Sequence, residues 1–267
     1  MTYPLTAIIS DLHANEPALE ATLADARERG AQRYVCLGDV IGYGARPTHN
    51  LDWVMRLCVE NPKPPEGFGE LYGGLCLQGN HENALLDEHG AEEFNPKARA
   101  AIDWTRDAIS SAKSSGEYWD FLGELEPAGM DACAQYAHGS PRDPVREYIV
   151  PRDIQNKPKM EALFARMERQ VCFVGHSHVP AVYYEDFRLH EPEGTEGPYA
   201  LGDTRAIINV GSVGQPRDGD PKSSYVLFDG STVTFVRVAY DIQEAQSAIR
   251  ETQGLPNYLA DRLAVGR

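Results

Sequence analysis

An α/β fold, with mixed β-sheets flanked by helices, is what this sequence predicts. Three observations predict it. Short apolar runs with strand character recur along the chain. They alternate first with stretches of helical period, and in the C-terminal half they follow one another in series. The 267 residues fall between one large and two small domains. A single domain is expected, with a helical insertion at about 82–131 and C-terminal helices at about 241–267.

Residues 5–10 open as a strand. Asn15 can cap a helix whose apolar positions Leu19, Leu23 and Ala26 keep helical spacing, with Gly30 as its stop. Residues 33–37 are a second strand, and 48–59 a second helix with Leu51, Val54, Met55 and Cys58 on one face. Residues 61–74 hold three prolines and four glycines and form a loop excursion. A short strand at 75–77 follows. Asn95 caps the next helical stretch, with Pro96 in its first turn and Ala101, Ile102, Thr105, Ala108, Ile109 and Ala112 on one stripe. Residues 132–137, 171–174 and 181–184 are strands, and 160–167 are helical. Residues 190–203, acidic and rich in Gly and Pro, make a second surface insertion. Strands at 206–210, 224–228 and 232–238 come next, the last two joined by a hairpin turn at Asp229-Gly230. Short helices at 241–250 and 255–263 close the chain.

Hydrophobic residues make up 42% of the chain, enough for a sizeable core and against disorder. The longest apolar runs, such as 34–37, fall far short of the roughly 18–20 residues of a membrane span. No basic-then-apolar leader precedes the first strand, so no signal peptide is expected. Cys36, Cys58, Cys76, Cys133 and Cys172 are odd in number and form no CxxC pair. Core packing in a reducing cytoplasm is their expected role, not a disulfide framework. A net charge of −15 argues against a general nucleic-acid binder. From 82 to 131, twelve acidic residues outnumber four basic ones, a solvated helical surface by expectation.

Five of the eight histidines stand in short motifs: Asp11-Leu-His13, Gly38-Asp39, Gly79-Asn80-His81, His138-Gly139 and Gly175-His176-Ser-His178. Singly, each has an ordinary reading as a helix cap, a turn or a surface imidazole. Each begins, however, where an apolar strand ends, on the side where open α/β sheets bind ligands. A glycine adjoins the ligand type in four of the five motifs, letting backbone pass close to a bound ion. Gly175-His-Ser-His178 is the most specific, because histidines at i and i+2 of an extended segment share a side. Such a set suits two divalent metals clamping one phosphate, a route to phosphoester hydrolysis. Imidazole, carboxylate and amide ligands favour Mn, Fe, Zn or Ni over Mg alone. One carboxylate can bridge two ions. Two Asp with two divalent ions leave a charge of about +2, which attracts phosphate even into an acidic protein. No cysteine has an Arg six positions on, and GxSxG and Walker-type loops are absent.

Asp-x-His, Gly-Asp, Gly-Asn-His-Glu, His-Gly and Gly-His-Ser-His, in this order, resemble the motifs of the calcineurin-like metallophosphoesterase superfamily. Asn209-Val-Gly-Ser-Val-Gly-Gln-Pro-Arg217 and His138-Gly-Ser-Pro-Arg-Asp-Pro144 resemble its small prokaryotic branch of predicted phosphoesterases. The resemblance implies a four-layer sandwich of two mixed β-sheets with helices outside. It implies one metal held by Asp11, His13 and His178, another by Asn80, His138 and His176, and Asp39 bridging them. It also implies a metal-bridging hydroxide attacking phosphorus in line. His81 would be a non-ligand that contacts the phosphate or protonates the leaving oxygen. Every ligand position is filled.

Asn80 and Arg142 are the candidate substrate contacts. Arg142 lies four residues past His138, and a salt-bridged arginine is its alternative reading. Arg217 and Tyr43 have weaker cases. Asn15 and Glu82 could hydrogen-bond histidines, although capping already accounts for Asn15. Asn209 and Gly211 are expected to tighten a turn near the site, and His49, His89 and His190 to lie on the surface.

The expected activity is metal-dependent hydrolysis of phosphomonoesters or phosphodiesters. Dinucleoside polyphosphate hydrolysis and phosphoprotein dephosphorylation are the alternatives. A phosphorylated small molecule, nucleotide or phosphopeptide is the expected substrate, selected by residues 61–74, 190–203 and the helical region after His81. Neither a membrane nor a long nucleic acid is expected as partner. Outside this class stand a partner-binding protein with a metal site and a metal-dependent hydrolase of non-phosphate esters.

Overall fold

The computed structural model describes residues 3–87, 90, 91 and 94–267. Strands and helices alternate at first: β1 (Thr6–Ile9), α1 (Glu16–Glu28), β2 (Arg33–Cys36), α2 (Pro47–Leu57) and β3 (Leu75–Cys76). Asn15 caps α1 by accepting from the Ala18 N–H at 3.3 Å, and Gly30 follows it at φ 84°. Helices α3 (Asn80–Leu86), α4 (Pro96–Ser110) and α5 (Ser115–Gly123) come next, then β4 (Ala128–Met130) and β5 (Ala134–Ala137). A 3-10 turn, Pro151–Gln155, and α6 (Lys157–Phe164) lead to β6 (Val171–Val174), β7 (Ala181–Tyr184), β8 (Leu189–His190) and β9 (Glu196–Ala200). The chain closes with β10 (Ala206–Asn209), β11 (Ser223–Phe228), β12 (Thr232–Val238), α7 (Ile242–Glu251), α8 (Tyr258–Asp261) and a 3-10 turn, Arg262–Val265.

The strands form two mixed six-stranded sheets, ordered β3-β2-β1-β11-β12-β9 and β4-β5-β6-β10-β7-β8. In the first, β1, β2 and β3 are parallel and β11 joins β1 antiparallel. In the second, β5, β6 and β10 are parallel. Period-2 alternation builds the layers. Val171 and Phe173 of β6 pack with Ile8, Val35 and Val226 of the other sheet, while Cys172 and Val174 pack with Met160, Leu163 and Phe164 of α6. Ala7 and Ile9 of β1 turn the other way, onto Leu19 and Leu23 of α1. Both faces of the central strands are therefore buried, and they read as short continuous apolar runs. Helix, sheet, sheet and helix make the four layers that the resemblance implied.

Two expectations are corrected and one is extended. Residues 190–203 lie almost wholly at the surface but add a strand, because β9 pairs antiparallel with β12 at the edge of the first sheet. An edge strand tolerates Pro198, which disguised it. The 82–131 region is not helical throughout, since β4 pairs with β5; Ala-Gly-Met carries no strand-forming side chain. Helix α6 begins at Lys157 and not at 160, because Asn156 caps it by accepting from the Lys159 N–H at 3.3 Å. The five cysteines are free, four of them buried. Among the described residues no helix is long and apolar enough to cross a membrane.

Candidate metal centre

The motif residues follow the carboxyl ends of parallel strands: Asp11 after β1, Asp39 after β2, His138 after β5, and His176 and His178 after β6. Asn80 and His81 follow β3 but already belong to the first turn of α3, where a loop was expected. The loops are stitched together by main-chain hydrogen bonds. Asp11 N–H donates to Gly38 O (3.0 Å), His13 N–H to Asp39 O (2.9 Å) and Gly175 N–H to His138 O (2.9 Å). Asp11, His13, Asp39, His176 and His178 all have φ between 48° and 64°. Non-glycine residues avoid this left-handed region, and such strain collects at functional sites. His176 and His178 are thus not on an extended segment, and they diverge.

Two clusters result. In one, Asp11 Oδ1 lies 3.1 Å from His178 Nε2, which is 3.2 Å from His13 Nε2. In the other, His138 Nε2 lies 3.1 Å from Asn80 Oδ1 and 3.0 Å from His176 Nδ1. Asp39 Oδ2 stands between them, 3.8 Å from His13 Nε2 and 3.4 Å from His138 Nε2. Metal–nitrogen bonds of about 2.0–2.1 Å place two ligand atoms on one ion up to roughly 4.2 Å apart, so these spacings suit shared cations. Six of the seven side chains are buried, and Asn80 is half-buried. Asp11 Oδ1 and His138 Nδ1 are buried without a hydrogen-bond partner, and a cation would satisfy the carboxylate.

Outer contacts fix which nitrogen points inward. His13 Nδ1 contacts Ile41 O at 3.2 Å and His178 Nδ1 contacts Gln215 O at 2.5 Å, leaving each Nε2 for the centre. His176 is reversed, with Nε2 3.1 Å from Arg146 O and Nδ1 inward. The motif glycines make room for protein atoms, not for an ion. A Cβ on Gly79 would lie 2.1 Å from Asp39 Oδ1, one on Gly175 would meet Ser10 Oγ and then Asp11 Oδ2 at 2.6 Å, and those on Gly38 and Gly139 would meet main chain.

The charge field invites cations. Burial alone would raise the Asp11 and Asp39 carboxyls, but His178 and His138 hold Asp11, and His138 and His81 hold Asp39, well below the usual range. Burial opposes a charged His138, yet Asp39 and Asp11 push it up to about 9. Burial and the nearby His138 then press His176 down to about 3, and burial takes His81 to about 4. The carboxylates draw one positive charge inward, and crowding refuses a second proton. Divalent cations provide that charge without protonating imidazoles.

Several expected contacts fall elsewhere. Arg142 is ion-paired to Glu147, its Nε 3.1 Å from Glu147 Oε2, so the salt-bridged reading holds. Among the described residues Glu82 hydrogen-bonds no histidine; its carboxylate accepts from the N–H groups of Asp39 (2.8 Å), Gly79 (2.9 Å) and Ile41 (3.2 Å). Asn15, besides capping, donates to Gly214 O at 2.8 Å. Asn209 donates to Gly175 O (2.6 Å) and Ser177 Oγ (2.9 Å) and accepts from Gly211 N–H (2.9 Å), bracing the His176–His178 turn. Tyr43 packs its ring 4.6 Å from that of His13 and 4.5 Å from that of His81. His49 and His190 are half-buried, beside Glu16 and Glu20 and beside Glu196. His89 lies outside the described residues. A cleft of about 150 Å³ opens beside Asn80 and His176, walled by Asn83, Phe94, Arg146 and Tyr148. No local pattern marked these walls, although three of them touch motif residues: Tyr148 stacks 3.6 Å over His176, Arg146 O lies 3.1 Å from His176 Nε2, and the Phe94 ring lies 5.0 Å from that of His81.

Residues 5–232 match the family model of the calcineurin-like phosphoesterase superfamily domain. The chain is 34% identical to the uncharacterised protein MJ0912 of Methanocaldococcus jannaschii, over 100% of both. It superposes on a metallophosphoesterase from Sphaerobacter thermophilus with TM-score 0.81 and 37% identity, covering 99% of this chain and 100% of that one. A hypothetical protein, PH1004, of Pyrococcus horikoshii OT3 shares the fold at TM-score 0.76 and 19% identity, over 98% of each.

Proposed function

This chain belongs to the calcineurin-like phosphoesterase superfamily, and on that premise we propose that it hydrolyses phosphoesters at a centre of two divalent cations sharing Asp39. Asp11, His13 and His178 would hold one, and Asn80, His138 and His176 the other. The position of Asp39 Oδ2 between the two clusters carries this reading. When bound, such cations lower the pKa of water from 15.7 towards about 7 and polarise phosphoryl oxygens. The donor set fits Mn, Fe, Zn or Ni.

His81 is the proposed catalytic residue. Its main-chain N–H donates to Asp39 Oδ1 at 2.9 Å, and its ring is wedged between Tyr43 (4.5 Å) and Phe94 (5.0 Å). Burial keeps it neutral at pH 7, and a neighbouring cation acts in the same direction. A neutral imidazole still donates one hydrogen bond, which suits an oxygen gaining charge in the transition state. Asn80, half-buried at the mouth, is placed to meet substrate as well as metal.

The substrate is a phosphorylated small molecule, nucleotide or phosphopeptide entering the cleft beside Phe94 and Tyr148. The centre draws side chains from both sheets, which supports one catalytic domain, and the free cysteines support a cytoplasmic setting. The test is metal-loaded protein assayed with a chromogenic monoester and diester, beside Asp39→Asn and His81→Ala. Asp39→Asn is expected to lose metal and activity together. His81→Ala is expected to keep metal and turn over about 10²–10⁴-fold more slowly. Full hydrolysis by the chelated protein contradicts the proposal.

A further inference from the structure

Arg217 lies between β10 and β11, and its N–H donates to His178 O at 3.3 Å. Its guanidinium carbon is 5.9 Å from the centre of the Tyr43 ring, the ring that packs on His13 and His81. Arg262 opens the final 3-10 turn, and Gly219 N–H donates to Gly266 O at 3.0 Å, tying that turn to the Arg217 loop. Both arginines are half-buried. Leu259 and Leu263, on either side of Arg262 in the chain, line one pocket with His13, Tyr43 and Gln215, so two like charges border one rim of the centre. Burial, then the charge of Arg217, push Arg262 down, whereas Tyr258, Tyr43 and Tyr148 act in the opposite direction.

Nearby acids turn away. Asp218 pairs with Arg237, Asp261 pairs with Arg250 at 2.8 Å, and Asp220 accepts from Lys222 N–H at 3.0 Å. Arg217 Nη2 donates to Gln215 Oε1 at 2.9 Å while its Nε is buried without a partner; Arg262 Nε donates to the main-chain oxygen of Arg267, and its guanidinium carbon lies 5.5 Å from the centre of the Tyr258 ring. Among the described residues neither has an Asp or Glu partner, in a chain with 40 acidic residues against 25 basic. Guanidinium forks suit phosphate oxygens, and an anion between two of them relieves their repulsion.

We infer that Arg217 and Arg262 form an anion subsite beside the metal centre, for a phosphate group adjoining the one that is cleaved. The favoured substrates are then phosphoanhydrides and other compounds with neighbouring phosphates. The inference rests on the phosphoester reading above, because the cations would hold the scissile group and leave the arginines for the next.

The experiment measures inhibition of p-nitrophenyl phosphate hydrolysis by adenosine 5′-monophosphate and 5′-diphosphate, with free metal in excess. The wild type is expected to bind the diphosphate at least tenfold more tightly. Arg217→Gln and Arg262→Gln should each bring that preference within about threefold, Arg262→Lys should retain part of it, and Arg142→Gln should keep it. Thermal unfolding checks each variant; should Arg217→Gln misfold, the two Arg262 variants decide. Equal binding of both nucleotides by an active wild type overturns the subsite alone, as does a preference that survives in the folded glutamine variants. Absence of both hydrolysis and nucleotide binding overturns the phosphoester reading and the subsite together.

Discussion

Replacing Gly42 by alanine should silence His81 without touching any metal ligand. Gly42 has φ 85°, and a Cβ there would stand 2.1 Å from His81 Nδ1, 2.9 Å from Cε1 and 3.0 Å from Cγ. Ordinary contact needs about 3.5 Å, so the imidazole must withdraw by roughly 1.4 Å. It has little freedom to do so smoothly, because Asp39 Oδ1 anchors the main-chain N–H of His81 and Tyr43 and Phe94 wedge the ring. A misplacement of about 1 Å can cost roughly 10²-fold in rate. The left-handed backbone costs alanine about 1–2 kcal/mol and the overpacking about 1–3 kcal/mol more, within the stability of an ordinary domain. The variant is to be purified, its metal content determined, and its kcat measured on a chromogenic monoester. Metal content should match the wild type while kcat falls about 100-fold. Activity within threefold of wild type in the folded variant refutes the assigned seat and role of His81.

Two further substitutions probe the frame. Glu82→Ala strands three buried N–H groups of the Asp39 and Gly79 turns, so it should cost about 3 kcal/mol or more in denaturant unfolding and weaken metal binding about 10–100-fold; unchanged stability would deny Glu82 its bracing role. Asp229→Ala tests the hairpin turn. Asp229 accepts from Ser231 N–H and Thr232 N–H at 2.9 and 2.7 Å. Burial raises its carboxyl slightly, but the bonds to Thr232 and Ser231 outweigh this and lower it to about 2. A depressed folded-state pKa gives stability that is present above the unfolded value and lost as pH falls through the folded one. The wild-type advantage, screened at this exposed site to about 1 kcal/mol, should hold at pH 7 and vanish between pH 4 and 2. Urea unfolding across that range checks it, and an advantage undiminished at pH 2 contradicts it.

The sequence disclosed the centre more fully than its surroundings, for physical reasons. Strands buried on both faces leave unbroken apolar runs, and helices α1 and α4 announce themselves through Asn15 and Asn95. Strand β9 escaped because an edge strand tolerates Pro198 and needs no apolar face. Arg142 stands close to His138 along the chain but is paired with Glu147, and chain distance is a poor measure of distance in space. Ser140 and Glu147 tie down its loop and guanidinium, whereas Arg217, almost forty residues past the last histidine motif, is returned to His178 by the pairing of β10 with β6. The Gly-His-Ser-His motif led to two histidines that the structure brings to the centre, but not by the extended spacing assumed. Its histidines share a site through paired left-handed turns, and serve opposite clusters. Glu82 looked like a partner for an imidazole, but its three main-chain contacts carry no sequence pattern of their own.

Anomalous X-ray scattering from crystals grown with manganese is the most direct test of the two-cation centre. Two peaks are expected, about 3.5–4 Å apart and flanking the Asp39 carboxylate. One should be bounded by Asp11, His13 and His178, the other by Asn80, His138 and His176. A single peak at full occupancy, or peaks away from Asp39, would contradict the account.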